Sequence, residues 1–203
     1  FMQKNIILVP TNFSSRANIA YRQSINFAER TKGSIHLLHV IQPKSKNSNL
    51  DMEIDIIHNQ VLKLVEECDA SFRKRIHTRI EYGNVYSSIC SVANELSPDY
   101  MFIGSDVDRK KQAKSITLKL IDKVSCPLVV FAGRYDKLGC DKIVLPVDLT
   151  KETKQKVDLA VKMAKIYGSK IFMVSAVSKE NEQIVSRQQE IKSIFDKLNI
   201  ECE

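Results

Sequence analysis

Tryptophan is absent from this chain of 203 residues, and glycine occurs only six times, at 33, 83, 104, 133, 139 and 168. No apolar run approaches the roughly 20 residues needed to span a bilayer. The early run "NIILVP" passes straight into a patterned segment, so no signal peptide is expected there. Five cysteines (Cys68, Cys90, Cys126, Cys140 and Cys202) form no C-x-x-C pair. An odd, scattered set argues against a disulfide frame or a zinc site and for reduced thiols, hence an expected cytoplasmic location. Cys90 and Cys126, among apolar neighbours, are expected to be small buried hydrophobes. The four histidines (His36, His39, His58 and His77) show no H-E-x-x-H spacing, and neither a G-x-S-x-G elbow nor a Walker A loop occurs. His36 and His39, three apart on a strand, point to opposite faces and are not expected to share a metal. No enzyme is expected from these patterns, and no catalytic or metal-ligating residue is assigned.

What is present reads as a globular protein, with 43% hydrophobic and 27% charged residues. The formal net charge of +7 raises the question of nucleic acid. Yet lysines alternate with acids, as in "KETKQKVD" and "KSITLKLIDK", which marks solvated helix faces, and no basic aromatic-rich strand occurs. Nucleic-acid and membrane partners are therefore not expected.

Strand-like and helix-like patterns alternate along the chain. "NIILVP" (5–10) is a continuous apolar run of the kind buried on both faces of a parallel sheet. Ala17, Ala20, Tyr21, Ser24, Ile25 and Ala28 follow at helical spacing, with Ser14 or Ser15 as N-cap and Gly33 as the stop. "SIHLLHVIQ" (34–42) is a second strand, 44–50 a polar loop, and about 52–71 one long helix. "RIHTRIEYG" (75–83), "DYMFIGS" and "CPLVVFAG" supply three further strands, with helices over "NVYSSICSVANELSP" and "SITLKLIDKVS". Short connections between alternating strands and helices imply a doubly wound α/β fold, a five-stranded parallel sheet with helices on both faces.

The pattern then restarts. "KNIILVPTNFSSRANIAYRQSINFAERTKGSIHLLHV" aligns without gaps on "CDKIVLPVDLTKETKQKVDLAVKMAKIYGSKIFMVSA" at an offset of 136 residues, setting Pro10 on Pro146, Asn12 on Asp148 and Ser14 on Thr150. So long a period implies tandem domains, one complete over 3–133 and a partial second copy over 140–203. The second copy is expected to hold only βαβα, with "IECE" opening a third strand. It is expected to be cut short or completed by a partner copy. Ser14 and Thr150 are expected to be helix N-caps.

"NIILVPTNFS", "IHLLHV", "RIEYGNVYSSI", "PDYMFIGS" and "SCPLVVF", in that order and partly repeated, resemble the universal stress protein family. The resemblance implies an adenine nucleotide alpha hydrolase-like, Rossmann-like sheet, a role in stress response, and in many members ATP or AMP as ligand and a dimer. It places the nucleotide against Pro10, Thr11, Asn12, Val40, Ile103, Gly104, Ser115 and Ile116. The family's aspartate is here Asn12. In its phosphate loop, G-x-x-G-x9-G-S/T, the first glycine is Gly104, the second falls on Val107 and the third on Lys114, with Ser115 keeping the hydroxyl. Glycines there let backbone N–H groups approach phosphate. Side chains at Val107 and Lys114 work against that, at about 1 kcal/mol or more each for a left-handed turn.

The expected function is a non-catalytic stress-response protein with a degenerate nucleotide canyon, acting through oligomerisation or partner binding. The alternative is an ATP- or AMP-binding regulatory module with at most slow hydrolysis, in which Ser115 and nearby lysines replace the glycines. A homodimer is expected through the strand at Pro127–Gly133. His39, near a strand end, is a further candidate for a ligand contact.

Overall fold

The structure, a computed structural model, describes residues 5–42, 50–105, 116–132, 137–150, 152–176 and 181–203. They fall into two compact units, Phe1–Leu138 and Gly139–Glu203.

The first unit runs β1 (Ile6–Thr11), α1 (Ser15–Thr31), β2 (Ser34–Ile41), α2 (Leu50–Glu66), α3 (Ala70–Arg73), β3 (Ile76–Tyr82), α4 (Val85–Leu96), β4 (Tyr100–Ser105), α5 (Ile116–Ile121) and β5 (Leu128–Ala132). Its five strands form a parallel sheet in the order β3-β2-β1-β4-β5, as the alternating pattern implies. The central β1 is buried from Ile7 to Thr11, which is why it reads as an unbroken apolar run. On one face Phe27 of α1 meets the Tyr100 and Phe102 rings at 4.9 and 5.3 Å. On the other, Leu8, Leu38 and Met101 pack under Ile89 and Val92 of α4 and Leu120 of α5.

Local chemistry accounts for the helix ends, and corrects three expectations. Ser14 does cap α1, its Oγ accepting the Ala17 amide at 3.3 Å. The left-handed residue at the other end is Lys32 (φ 55°), not Gly33. Gly33 is needed because a Cβ there would lie 2.6 Å from the Asn5 carbonyl oxygen. The single helix expected over about 52–71 is two, α2 and α3. Between them the Arg73 guanidinium donates to the Glu66 and Cys68 carbonyls at 2.8 and 2.9 Å, satisfying backbone acceptors where α2 ends. Tyr21, fully buried, donates its hydroxyl to the Leu64 carbonyl at 3.1 Å and lies 3.4 Å from the Cys68 sulfur. Burial pushes both that hydroxyl and the Cys68 thiol up from their ordinary pKa values. Cys90 and Cys126 are only partly buried, against the α4–α5 core.

The second unit holds β6 (Lys142–Pro146), α6 (Thr153–Tyr167), β7 (Lys170–Val174) and α7 (Glu182–Lys197), with β6 and β7 parallel. Leu145, Val157, Ile171, Ile191 and Phe195 form its core. Residues 201–203 lie along β7: Cys202 bridges Ile171 in parallel, and amides of Ile171 and Met173 donate to Glu201 and Glu203 at 2.9 and 2.7 Å. Lys170 Nζ adds ion pairs to both glutamates at 2.6 and 2.5 Å.

The 136-residue offset recurs in local geometry. The C-caps Lys32 and Gly168 are both left-handed, at φ 55° and 71°. Ser34 and Lys170 open β2 and β7 by donating to the carbonyls of Asn5 and Asp141, at 2.8 and 2.9 Å. Thr150, however, is not an N-cap. Its hydroxyl is 2.6 Å from Asp148 Oδ1, and α6 starts three residues later without a side-chain cap. Among the described residues no helix is long and apolar enough to cross a membrane.

Candidate functional site

In an open parallel sheet, ligands settle beyond the strand C-termini where the strand order reverses. Here that point lies between β1 and β4. A cavity of about 370 Å³ opens there, lined by Pro10, Thr11, Asn12, Ala17, Leu38, Val40, Val85, Ile89, Ile103, Gly104, Ser105, Ile116 and Thr117. Its volume falls in the lower part of the range of about 300–1,000 Å³ typical of small-molecule pockets.

Three strand ends and three helix starts build it. β1 delivers Pro10 and Thr11 and then turns sharply. Thr11 Oγ1 accepts the Phe13 amide and Asn12 Oδ1 the Ser14 amide, both at 3.1 Å. The turn places Phe13 at φ 59° and leads into the Ser14 cap of α1. Because Oδ1 of Asn12 serves its own turn, the NH2 group is the end left to donate to a ligand. β2 contributes Leu38 and Val40, and β4 contributes Ile103, Gly104 and Ser105. The first turn of α4 supplies Val85 and Ile89, and the start of α5 supplies Ile116 and Thr117.

Gly104 has a structural task of its own. A Cβ added there would lie 2.4 Å from the carbonyl carbon and oxygen of Arg16 and 2.5 Å from the Ala17 nitrogen. The glycine therefore lets β4 pass under the first turn of α1, independently of any phosphate.

Pro10, Thr11, Asn12, Val40, Ile103, Gly104 and Ile116 are thus brought to one cavity. Ser115 lies outside the described residues, as do Val107, Lys114 and the rest of the 106–115 loop. His39 does not line the cavity. Its Nδ1 sits 2.8 Å from the Thr11 carbonyl oxygen and its ring stacks on Phe13 at 4.7 Å. Leu38, Ser105, Ala17, Val85, Ile89 and Thr117 escaped the sequence reading. Two of them carried a signal, since Leu38 and Ser105 sit two residues from Val40 and Ile103, on the same face of their strands.

Among the described residues, none that lines the cavity is ionisable. Such a slot can hold a flat, mostly apolar group and satisfy a few polar edges through Thr11, Asn12, Ser105 and Thr117. Among these lining residues it has no group to move a proton or to pair with a charge.

The second unit treats its corresponding residue differently. Asp148 Oδ1 accepts from Thr150 N, Thr150 Oγ1 and Thr153 Oγ1 at 3.1, 2.6 and 2.6 Å, and Oδ2 pairs with Lys156 Nζ at 2.7 Å. Lys156 first, then the two threonine hydroxyls, hold this carboxyl well below the usual carboxylate range. Asp148 is occupied by its own chain.

The model of the universal stress protein family matches residues 4–132, which is the sheet, the cavity and the helices just described. The chain belongs to the universal stress protein family. Solved structures agree on the fold. A universal stress protein from Archaeoglobus fulgidus DSM 4304 is 15% identical, with a TM-score of 0.74 over 100% of this chain and 76% of its own. A putative universal stress protein from Pseudomonas aeruginosa UCBPP-PA14 is 16% identical, with a TM-score of 0.62 over 100% of this chain and 74% of its own. Universal stress protein UspA from Lactobacillus plantarum is 20% identical, with a TM-score of 0.56 over 64% of this chain and 98% of its own. At these identities the likeness concerns the fold alone. No curated protein matches the chain.

Proposed function

We propose that this universal stress protein is a non-catalytic, cytoplasmic stress-response protein whose first-unit cavity receives an adenosine-like group without gripping its phosphates, and which acts through association with a second copy or another protein. The observation that carries this reading is the lining among the described residues: apolar walls from three strand ends and three helix starts, four hydroxyl or amide groups, and no ionisable side chain. An adenine ring matches such a slot in polarity, and the Asn12 NH2 group can donate to a ring nitrogen or a ribose oxygen. Phosphate recognition would need converging backbone N–H groups. The sequence offers Val107 and Lys114 where the family pattern has glycine.

The association surface in this reading is β5. It is the terminal strand of the sheet, with Val130 39% exposed, and so presents unpaired backbone groups to another strand. Of the expected strand Pro127–Gly133, Gly133 lies outside the described residues, and Pro127 gives its carbonyl to the Met101 amide at 3.0 Å.

Isothermal titration of adenosine, AMP and ATP, with magnesium, tests the ligand. The expected outcome is comparable affinity for all three, lost in Asn12→Ala. ATP binding a hundredfold tighter than adenosine would overturn the proposal and favour a regulatory ATP module in which lysines 110, 111 and 114 replace the glycines.

A further inference from the structure

On the face of the sheet covered by α4, the register of β2 with β3 sets His36 directly beside His77, far along the strands from the cavity end. The two imidazoles stack with centroids 4.7 Å apart and planes at 25°. His77 is exposed on an edge strand and His36 partly so. Among the described residues neither ring takes a protein hydrogen bond, in contrast to His39, which is tied to the Thr11 carbonyl. Side chains paired across adjacent strands project from the same face. Chelation requires rotation about χ1 and χ2 that turns one nitrogen of each ring toward a common ion, at the separation of about 2.0–2.1 Å that zinc takes from imidazole.

The nearest fixed cation is itself paired with carboxylates. Arg79, the next residue on this face of β3, is held by Glu81 from its own strand at 2.6 Å and by Glu95 from α4 at 2.7 Å. Burial, then His77 and Arg79, disfavour positive charge at His36, so a bound cation has to offset them through its bonds to the two ring nitrogens. Imidazole pairs suit divalent nickel, copper and zinc, and not magnesium or calcium, which favour oxygen ligands.

We propose that His36 and His77 form a two-imidazole binding site for a divalent transition-metal ion at the β2–β3 edge, its remaining coordination positions filled by water. No cluster of three or more metal-ligating side chains exists among the described residues, so the affinity rests on these two rings. A bound ion clips the edge strand to its neighbour and stabilises the sheet by mass action.

The test uses nickel chloride and the intact chain. Imidazole resonances are followed by NMR alongside calorimetric titration. Paramagnetic broadening is expected first at His36 and His77, with His39 and His58 unaffected at equimolar metal. His77→Gln is expected to weaken nickel binding about tenfold or more, the scale on which metal sites respond to loss of a supporting group. His58→Gln should leave it unchanged. The urea midpoint of His77→Gln without metal reports whether it is folded, and His36→Gln provides a second variant. No binding up to millimolar nickel, broadening elsewhere, or unaltered affinity in folded His77→Gln would overturn the proposal.

Discussion

Gly104 and Arg16 are so close that a methyl group on the glycine would lie 2.4 Å from the Arg16 carbonyl. The residue that sequence comparison reads as the start of a phosphate loop is also the point where β4 slides under α1. Gly104→Ala is therefore expected to destabilise the first unit by about 1–3 kcal/mol, the usual range for overpacking. Urea denaturation followed by circular dichroism measures it. An unchanged midpoint would mean that α1 shifts without cost.

The Tyr21 hydroxyl ties α1 to the end of α2 through the Leu64 carbonyl. Tyr21→Phe keeps the buried ring and leaves that acceptor without its donor, so a loss of about 1–3 kcal/mol is expected in the same assay. Because the Tyr21 hydroxyl favours the Cys68 thiolate, that thiol should also react more slowly with a maleimide in the variant.

In the second unit, the depressed pKa of Asp148 sets a pH dependence. The folded value lies below the unfolded one of about 3.9, so the contribution to stability is complete above that pH. It is lost as pH falls from there toward the folded value. Hydrogen exchange of amides 150–156 is expected to accelerate below about pH 4, and Asp148→Asn should flatten this response. Equal acceleration in both proteins would assign it to other carboxylates.

Filling the cavity separates binding from folding. Val85 is partly exposed in the first turn of α4 and lines the slot. Val85→Trp is expected to abolish adenosine binding while the melting temperature stays within a few degrees. Retained binding would move the ligand elsewhere.

If β5 is the association surface, a charge at its exposed position prevents pairing. Val130→Lys is expected to lower the mass seen by light scattering to that of a single chain. A wild-type chain that is already monomeric at high concentration would end that part of the proposal.

Much of this protein follows from sequence alone. Unbroken apolar runs fixed the buried parallel strands, because a strand covered on both faces cannot alternate. Ser14 and the spacing of α1 were legible for the same local reason, since caps and amphipathic faces depend on residues a few positions apart. Asn12 and Asp148, aligned by the ungapped match of Pro10 to Pro146, each accept the amide two residues on at 3.1 Å. Tertiary structure decided the rest. That Gly104 serves a helix crossing, that Lys156 and Thr153 saturate Asp148, and that His36 stacks on His77 all involve packing or strand pairing between separate elements. Linear spacing does not record which helix crosses which strand, or the register of two strands, and those distances determine which side chains can meet.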